Sequence, residues 1–269
     1  MKSHQIGICS WSLRPESPEA LVLDTQACGL SAVQLALKPL VEDSSWMQCQ
    51  SILSDSGVSI LSGMLEPVGE DYSTLETIAK TGGVRQDSLW PQTLVRTKRS
   101  AQLASELEIS LVTFHAGFLP HEASHDRTKM VDRLREIADI FKANDITIAF
   151  ETGQENAENL SGVLEELSHP NIGVNFDPAN MILYGQGDPV DAIKRLEPWV
   201  RQVHIKDAIA TEVQGTWGSE VVVGTGDVDW DSFLASVPQG IDLIIEREAG
   251  ESRIGDIQSA VTFLKERGC

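Results

Sequence analysis

Four residues of metal-ligating type stand at corresponding places in four short apolar runs. Glu151 closes Ile148-Ala149-Phe150-Glu151, and Asp177 follows Gly173-Val174-Asn175-Phe176. His204 lies inside Val203-His204-Ile205-Lys206-Asp207, and Glu246 closes Leu243-Ile244-Ile245-Glu246. Three carboxylates and one imidazole suit one borderline to hard dication, Mn²⁺ first, with Co²⁺, Mg²⁺ and Zn²⁺ also in range. No thiolate joins the set, which argues against a structural zinc site. Each residue has a plainer use when taken singly. Asp177 before Pro178 is a natural helix cap, and a lone histidine in an apolar strand is usually a satisfied core residue. Four such groups in register on successive strands outweigh those readings.

The elements that must position these residues are visible as alternating periodicities. Strand candidates are Ile6–Trp11, Ala32–Leu37, Val58–Met64, Leu111–Ala116, Thr147–Glu151, Gly173–Phe176, Arg201–Lys206 and Leu243–Glu246. Between them lie runs of helical period. The clearest is Thr128–Ala143, where Met130, Leu134, Ile137, Ala138 and Phe141 share a face; Ile254, Ile257, Val261 and Leu264 form another near the carboxyl end. Strands alternating with helices imply parallel strands joined by right-handed crossovers. Eight such units predict an α/β fold, a single (β/α)₈ TIM barrel spanning 1–269 as one domain. The long connections Leu65–Pro91 and Ala208–Gly226, the second with a β-rich Glu220–Val223 patch, then fall at the catalytic face. An open nucleotide-binding sheet is set aside, because Gly224-Thr225-Gly226-Asp227 lacks the third glycine and follows no early strand.

Composition narrows the partners. Forty acidic against 21 basic residues give a formal charge of −19, with no dense lysine or arginine cluster, which disfavours nucleic acid. No apolar run approaches the ~20 residues of a membrane span. The opening Met1-Lys2-Ser3-His4-Gln5 has no pattern of a secretory leader. Cys9, Cys28, Cys49 and Cys269 are widely spaced and read as isolated thiols. The expectation is a cytoplasmic protein acting on a small molecule, with no nucleic acid or membrane partner and with homo-oligomerisation left open.

The segments Phe150-Glu151-Thr152-Gly153-Gln154, Asn175-Phe176-Asp177-Pro178-Ala179-Asn180, Val203-His204-Ile205-Lys206-Asp207 and Ile245-Glu246-Arg247-Glu248 resemble the xylose isomerase-like TIM barrel superfamily. Its sugar phosphate isomerase/epimerase branch is the nearer likeness, and Gly224-Thr225-Gly226-Asp227-Val228-Asp229-Trp230 resembles that branch's Gly-x-Gly-x-x-x-Trp stretch. The resemblance implies a metal bound by Glu151, Asp177, His204 and Glu246. It also implies a sugar or sugar phosphate isomerase or epimerase in which Glu151 and Glu246 are the catalytic acid/base pair, working through an enediolate. The chemistry is sound on its own terms, since a C–H beside a carbonyl yields its proton to a carboxylate only if the developing oxyanion is stabilised. His115, Lys206, Asn180, Trp11 and Arg247 are the substrate-binding candidates. Each has an alternative: a core histidine for His115, an ion pair with Asp207 or a neighbouring carboxylate for Lys206, a structural salt bridge for Arg247, core packing for Trp11 and for Trp230.

The chain also departs from the ketose epimerases it resembles. Asn180 stands where they carry a histidine, Ala157 where they carry a glutamate and Ala210 where they carry an arginine. Those are substrate-contacting places, so the departures bear on the substrate and leave fold and metal untouched. Three alternatives follow: a dehydratase or isomerase of inositol-derived or keto-acid substrates, an apurinic-site endonuclease, and a non-catalytic sugar-binding barrel. The endonuclease reading lacks the extra histidines of a three-zinc site.

Overall fold

Eight parallel strands close on themselves in the order β1, β10, β7, β6, β5, β4, β3, β2. They are β1 (Ile6–Cys9), β2 (Ala32–Ala36), β3 (Ser59–Met64), β4 (Leu111–Phe114), β5 (Thr147–Glu151), β6 (Ile172–Phe176), β7 (Val200–Ile205) and β10 (Asp242–Ile245). Closure is made by β1 against β10, with Ile6 opposite Leu243 and Ile8 opposite Ile245. Two further short strands, β8 (Asp207–Ile209) and β9 (Ser219–Val221), form an antiparallel ribbon after β7. The computed structural model describes residues 4–213 and 215–269. Met1–Ser3, which head the amino-terminal segment searched for a leader, and Gln214 in the long connection after β7 lie outside the described residues.

The strands are apolar on both sides because helices cover the outside and the barrel fills its own interior. Every residue of β6 is buried. The predicted helix begins earlier than its apolar face required, at His125, because the Ser124 hydroxyl accepts the Arg127 N–H at 3.1 Å and caps it. Met130, Leu134, Ile137, Ala138 and Phe141 are all buried there, each large side chain stabilising the fold by ~1.5–3 kcal/mol. In the last helix, Arg253–Glu266, Ile257, Val261 and Leu264 are buried but Ile254 is exposed, and Ala260 completes the buried face instead. No helix among the described residues is long and apolar enough to cross a membrane.

Strand ends differ from the sequence expectation in one direction. The predicted β1 reaches Trp11, but the strand stops at Cys9 and Ser10–Leu13 coils into a helical turn. Likewise Leu37 opens the helix Leu37–Glu42, and β4 stops at Phe114. At the carboxyl face the chain leaves the ladder early, so that the residues just past each strand turn toward the barrel axis.

The interior just below that face is polar. Gln34 Nε2 donates to Thr113 Oγ1 at 2.7 Å, Ser62 Oγ to Gln202 Oε1 at 2.5 Å, and Gln202 Nε2 to Asn175 Oδ1 at 3.1 Å. All five are fully buried, and the bonds cross the barrel interior, Ser62 on β3 reaching Gln202 on the opposite strand β7. The parallel register slips between Val33 and Gln34 in β2 and between Val174 and Asn175 in β6. Such irregularities re-aim a side chain, and the two re-aimed residues, Gln34 and Asn175, both reach His204.

The ribbon is fastened by one carboxylate. Asp207 accepts the backbone N–H groups of Gly224 at 2.8 Å, Gly226 at 3.0 Å and Val228 at 3.3 Å, and the Trp230 indole N–H at 2.9 Å. Gly226 is required by this approach, since a Cβ there would lie 2.2 Å from Asp207 Oδ1. Trp230 is therefore a core residue, buried against Phe233 and Phe263, and offers no face to a sugar. Asp207→Ala strands these four donors and the Ala208 N–H, which bonds Oδ1 at 2.9 Å, and should cost about 3–5 kcal/mol. Urea denaturation checks this, and a loss below 1 kcal/mol would show that the loop holds without Asp207.

Candidate metal centre

The four ligand-type residues converge at the carboxyl face. One atom from each of Glu151, Asp177, His204 and Glu246 lies within 4.8 Å of the others. All four residues are buried. His204 Nδ1 is 3.5 Å from Glu151 Oε1, 3.5 Å from Glu246 Oε2 and 3.7 Å from Asp177 Oδ2. Neither His204 Nδ1 nor Asp177 Oδ2 makes a hydrogen bond, although both are enclosed. Buried polar atoms are normally partnered, so an orphaned nitrogen and oxygen facing the same point fit a cation. The donor set of three carboxylates and an imidazole fits a dication of the Mn²⁺, Mg²⁺, Co²⁺ or Zn²⁺ kind.

Each side chain is oriented from behind. The His204 Nε2 side is occupied by Gln34 Oε1 at 2.7 Å and Asn175 Nδ2 at 3.0 Å, which turns Nδ1 toward the carboxylates. Asp177 does two things at once. Its Oδ1 accepts the Asn180 N–H at 2.9 Å as the cap of helix Pro178–Leu183, which leaves Oδ2 free to face inward. Glu151 accepts Asn180 Nδ2 at 2.9 Å on one oxygen and Asn175 Nδ2 at 3.3 Å on the other. Glu246 accepts the Trp11 indole N–H at 2.7 Å on Oε1 and the Lys206 ammonium at 2.9 Å on Oε2.

These contacts decide the charges. Burial alone raises a carboxyl pKa, but Lys206 and His204 outweigh it and hold Glu246 well below the usual range. Burial is likewise outweighed at Glu151, by His115 and His204, so its carboxyl is also lowered. At Asp177 burial wins over Lys206 and pushes the carboxyl up to about 6. Burial opposes charge on His204 and Lys206, yet the surrounding acidic groups raise both. Cys9 Sγ also lies near His204 and Glu246. Burial keeps that thiol far above its ordinary value, and it sits 3.7 Å from Nε2, the ring nitrogen that Gln34 holds.

A cavity of about 690 Å³ opens over the cluster. Trp11, His115, Asn180, Lys206 and Glu246 line it, and each follows a different barrel strand. His115 Nε2 lies 3.7 Å from Glu151 Oε1, and Asn180 Oδ1 is 3.3 Å from Lys206 Nζ. Arg247 has its other candidate role. Its guanidinium bonds Glu220 at 2.8 Å and Asp256 at 2.9 Å, and it is not among the lining residues. Lys206 does not pair with Asp207, which points into the ribbon; its partners are Glu246 and Glu248.

Several wall residues escaped the sequence reading. Tyr72 and Glu70 come from the long connection after β3, and Tyr184 and Trp217 pack edge to face at 4.8 Å on the opposite side. Gln34 carried a readable signal, a lone amide inside the apolar run Ala32–Ala36. Tyr72 and Trp217 carried none, because their loops have no period that places them.

The family described as Xylose isomerase-like TIM barrel matches residues 24–267 of the chain. The chain belongs to that family. Among solved structures it is similar to a xylose isomerase domain protein from Planctomyces limnophilus, at 27% identity and TM-score 0.87, covering 98% of this chain and 96% of the other. The probable 3-DHS dehydratase AsbF of petrobactin synthesis from Bacillus anthracis has 17% identity and TM-score 0.77, with 98% and 99% covered. A D-allulose 3-epimerase from Methylomonas sp., solved in complex with D-allulose, has 15% identity and TM-score 0.73, with 99% and 98% covered. At those last two identities the likeness is one of fold. The curated protein YihM of Escherichia coli (strain K12), itself uncharacterized, is 31% identical over 115 residues, a stretch of 38% of this chain and about a third of that protein's length.

If the cluster takes a dication, binding must stabilise the folded chain. Mn²⁺ at a hundred times its dissociation constant should add about 2.7 kcal/mol. Gln34→Leu should weaken binding by about 10–100-fold through the released imidazole. Thermal melts with and without Mn²⁺ read both; a melting point indifferent to metal would remove the site.

Proposed function

We propose that this barrel is a divalent-metal-dependent isomerase of the epimerase type, which moves a proton at a carbon beside the carbonyl of a small sugar. One observation carries the reading: three buried carboxylates converge on an unpartnered imidazole nitrogen at the carboxyl face of the barrel, under an open cavity. Glu151, Asp177, His204 and Glu246 would hold the ion. A dication held there supplies Lewis-acid stabilisation of the oxyanion that develops when the neighbouring C–H is deprotonated.

The remaining chemistry belongs to the protein's own groups. Glu246 reaches the cavity wall and is kept ionised, as a base must be. Glu151 is also ionised and stands two strands away from β7 on the other side of His204, beside His115 and Asn180. One takes the proton from one face of the carbon, and the other, once protonated from solvent, gives that proton to the opposite face. Lys206 and Asn180 are placed to hold substrate oxygens, and Trp11 closes one wall. Dehydration of a keto-acid begins with the same proton abstraction, so the metal cluster suits it too; the charge of the cavity separates the two readings below. The −19 net charge and the acidic cavity mouth speak against a DNA substrate.

The mechanism sets an isotope pattern. Turnover of a ketose in D₂O should place solvent deuterium on carbon, read by product mass spectrometry, and Glu246→Gln should lower that exchange by about 10²–10⁴-fold. Turnover without uptake, at early conversion and in both directions, would replace proton transfer with a hydride shift. Incubation with an abasic duplex and Zn²⁺ should give no incision; metal-dependent incision at an enzymatic rate would overturn the sugar reading.

A further inference from the structure

The cavity holds cations that are already taken. Lys206, which is buried, donates to Glu246 at 2.9 Å and to Glu248 at 2.7 Å. Lys38, the other lysine on the wall, is 2.6 Å from Glu66. Glu220 and Glu70 add two more carboxylates to the lining, and among the described residues no arginine lines it. Arg247, close behind the wall, is spent on Glu220 and Asp256, and Arg96 is paired with Glu42. Even with a dication counted, carboxylates outnumber positive charges around this space.

We propose that Glu248 is a specificity residue: by holding Lys206 it reserves the cavity for uncharged polyhydroxy carbonyl compounds and shuts out their phosphate esters and carboxylated counterparts. The proposal rests on the sugar-site reading above and narrows it. A phosphate or carboxylate needs unspent donors, arginine forks above all. Here an incoming anion meets a Lys206 whose three donors go to Asn180, Glu246 and Glu248, and must displace Glu248 or lie beside it. The hydroxyl groups of a neutral sugar have the opposite fit. They donate to the spare lone pairs of Glu66, Glu220 and Glu248, while Trp11, Tyr184 and Trp217 offer faces to its C–H edges. Glu248 is suited to this task because its role is separable. Its side chain is 54% exposed, whereas that of Glu246, the other partner of Lys206, is buried in the metal cluster.

The test is isothermal titration calorimetry of the Mg²⁺-loaded protein with D-fructose, D-fructose 6-phosphate and sulfate, in wild type and Glu248→Gln. Wild type should bind the free ketose at least tenfold more tightly than its phosphate. Glu248→Gln removes one nearby negative charge and loosens the hold on Lys206, which at these distances is about a tenfold effect on an anion. It should narrow the ketose-to-phosphate ratio by that factor and strengthen sulfate binding equally, with an unchanged melting point. A wild type that prefers the phosphate, or a ratio and sulfate affinity indifferent to the substitution, overturns the assignment. The sulfate arm separates the two hypotheses: no ketose binding with the sulfate difference intact removes the sugar reading and keeps the role of Glu248.

Discussion

One ring nitrogen organises the molecule. His204 Nε2 is held at 2.7 Å by Gln34, so Nδ1 has to face Glu151, Asp177 and Glu246. The imidazole cannot rotate away without stranding Gln34 inside the barrel, where an unpaired amide costs about 1–3 kcal/mol. Gln34 in turn is tied to Thr113 on β4, while Asn175 and Gln202 extend the same network over β6 and β7. The polar layer thus joins strands that are far apart in sequence. It lies just beneath the cluster, two residues before Asp177 on β6 and two before His204 on β7, and its members have no freedom of their own. Fully satisfied buried networks of this kind rigidify what they support.

Charge compensation is the second constraint. Three carboxylates cannot be buried side by side unless positive groups offset them, and Lys206 and His204 are the resident ones. Together they outweigh burial and lower Glu246, while at Asp177, 4.0 Å from the Lys206 ammonium, burial wins and pushes the carboxyl up to about 6. The two halves of the cluster therefore differ in basicity although both are enclosed. That difference comes from which carboxylate the ammonium can reach.

Strand positions and the four-residue cluster were legible because both follow from period. Apolar runs of strand length alternate with helical faces, and an acidic or imidazole group recurring at the same end of each run is a statement about register. Asp177 shows why the competing reading was not wrong but incomplete: one oxygen caps the helix and the other faces the cluster. What the periodicity does not carry is what loops do. The stop of β1 at Cys9 was missed, since Ser10-Trp11-Ser12-Leu13 continues the apolar pattern while coiling. Glu248 was visible in its motif, yet its pairing with Lys206 depends on where two loops meet across 42 residues of chain. Ile254 was assigned to the core from spacing alone, and at the first turn of its helix it stays partly in solvent, 38% exposed.

The tetrapeptide His204-Ile205-Lys206-Asp207 draws these constraints into one stretch of backbone. Alternation along a strand sends residues two apart to the same side. His204 and Lys206 therefore both enter the site, one as a candidate ligand and the other as its counter-charge. Ile205 is buried on the other side, and Asp207 follows it there to gather four N–H groups from the loop ending at Trp230. That loop belongs to the ribbon whose second strand begins at Ser219, and it brings Glu220 to Arg247 and Trp217 to Tyr184 at the cavity wall. A slip of one residue in β7 would exchange the two sides, burying Asp207 in the cluster and turning His204 and Lys206 toward the helices. Floor, counter-charge and wall are consequently set by a single register. The pairing of β7 with β10, Val203 opposite Leu243 and Ile205 opposite Ile245, is what fixes it.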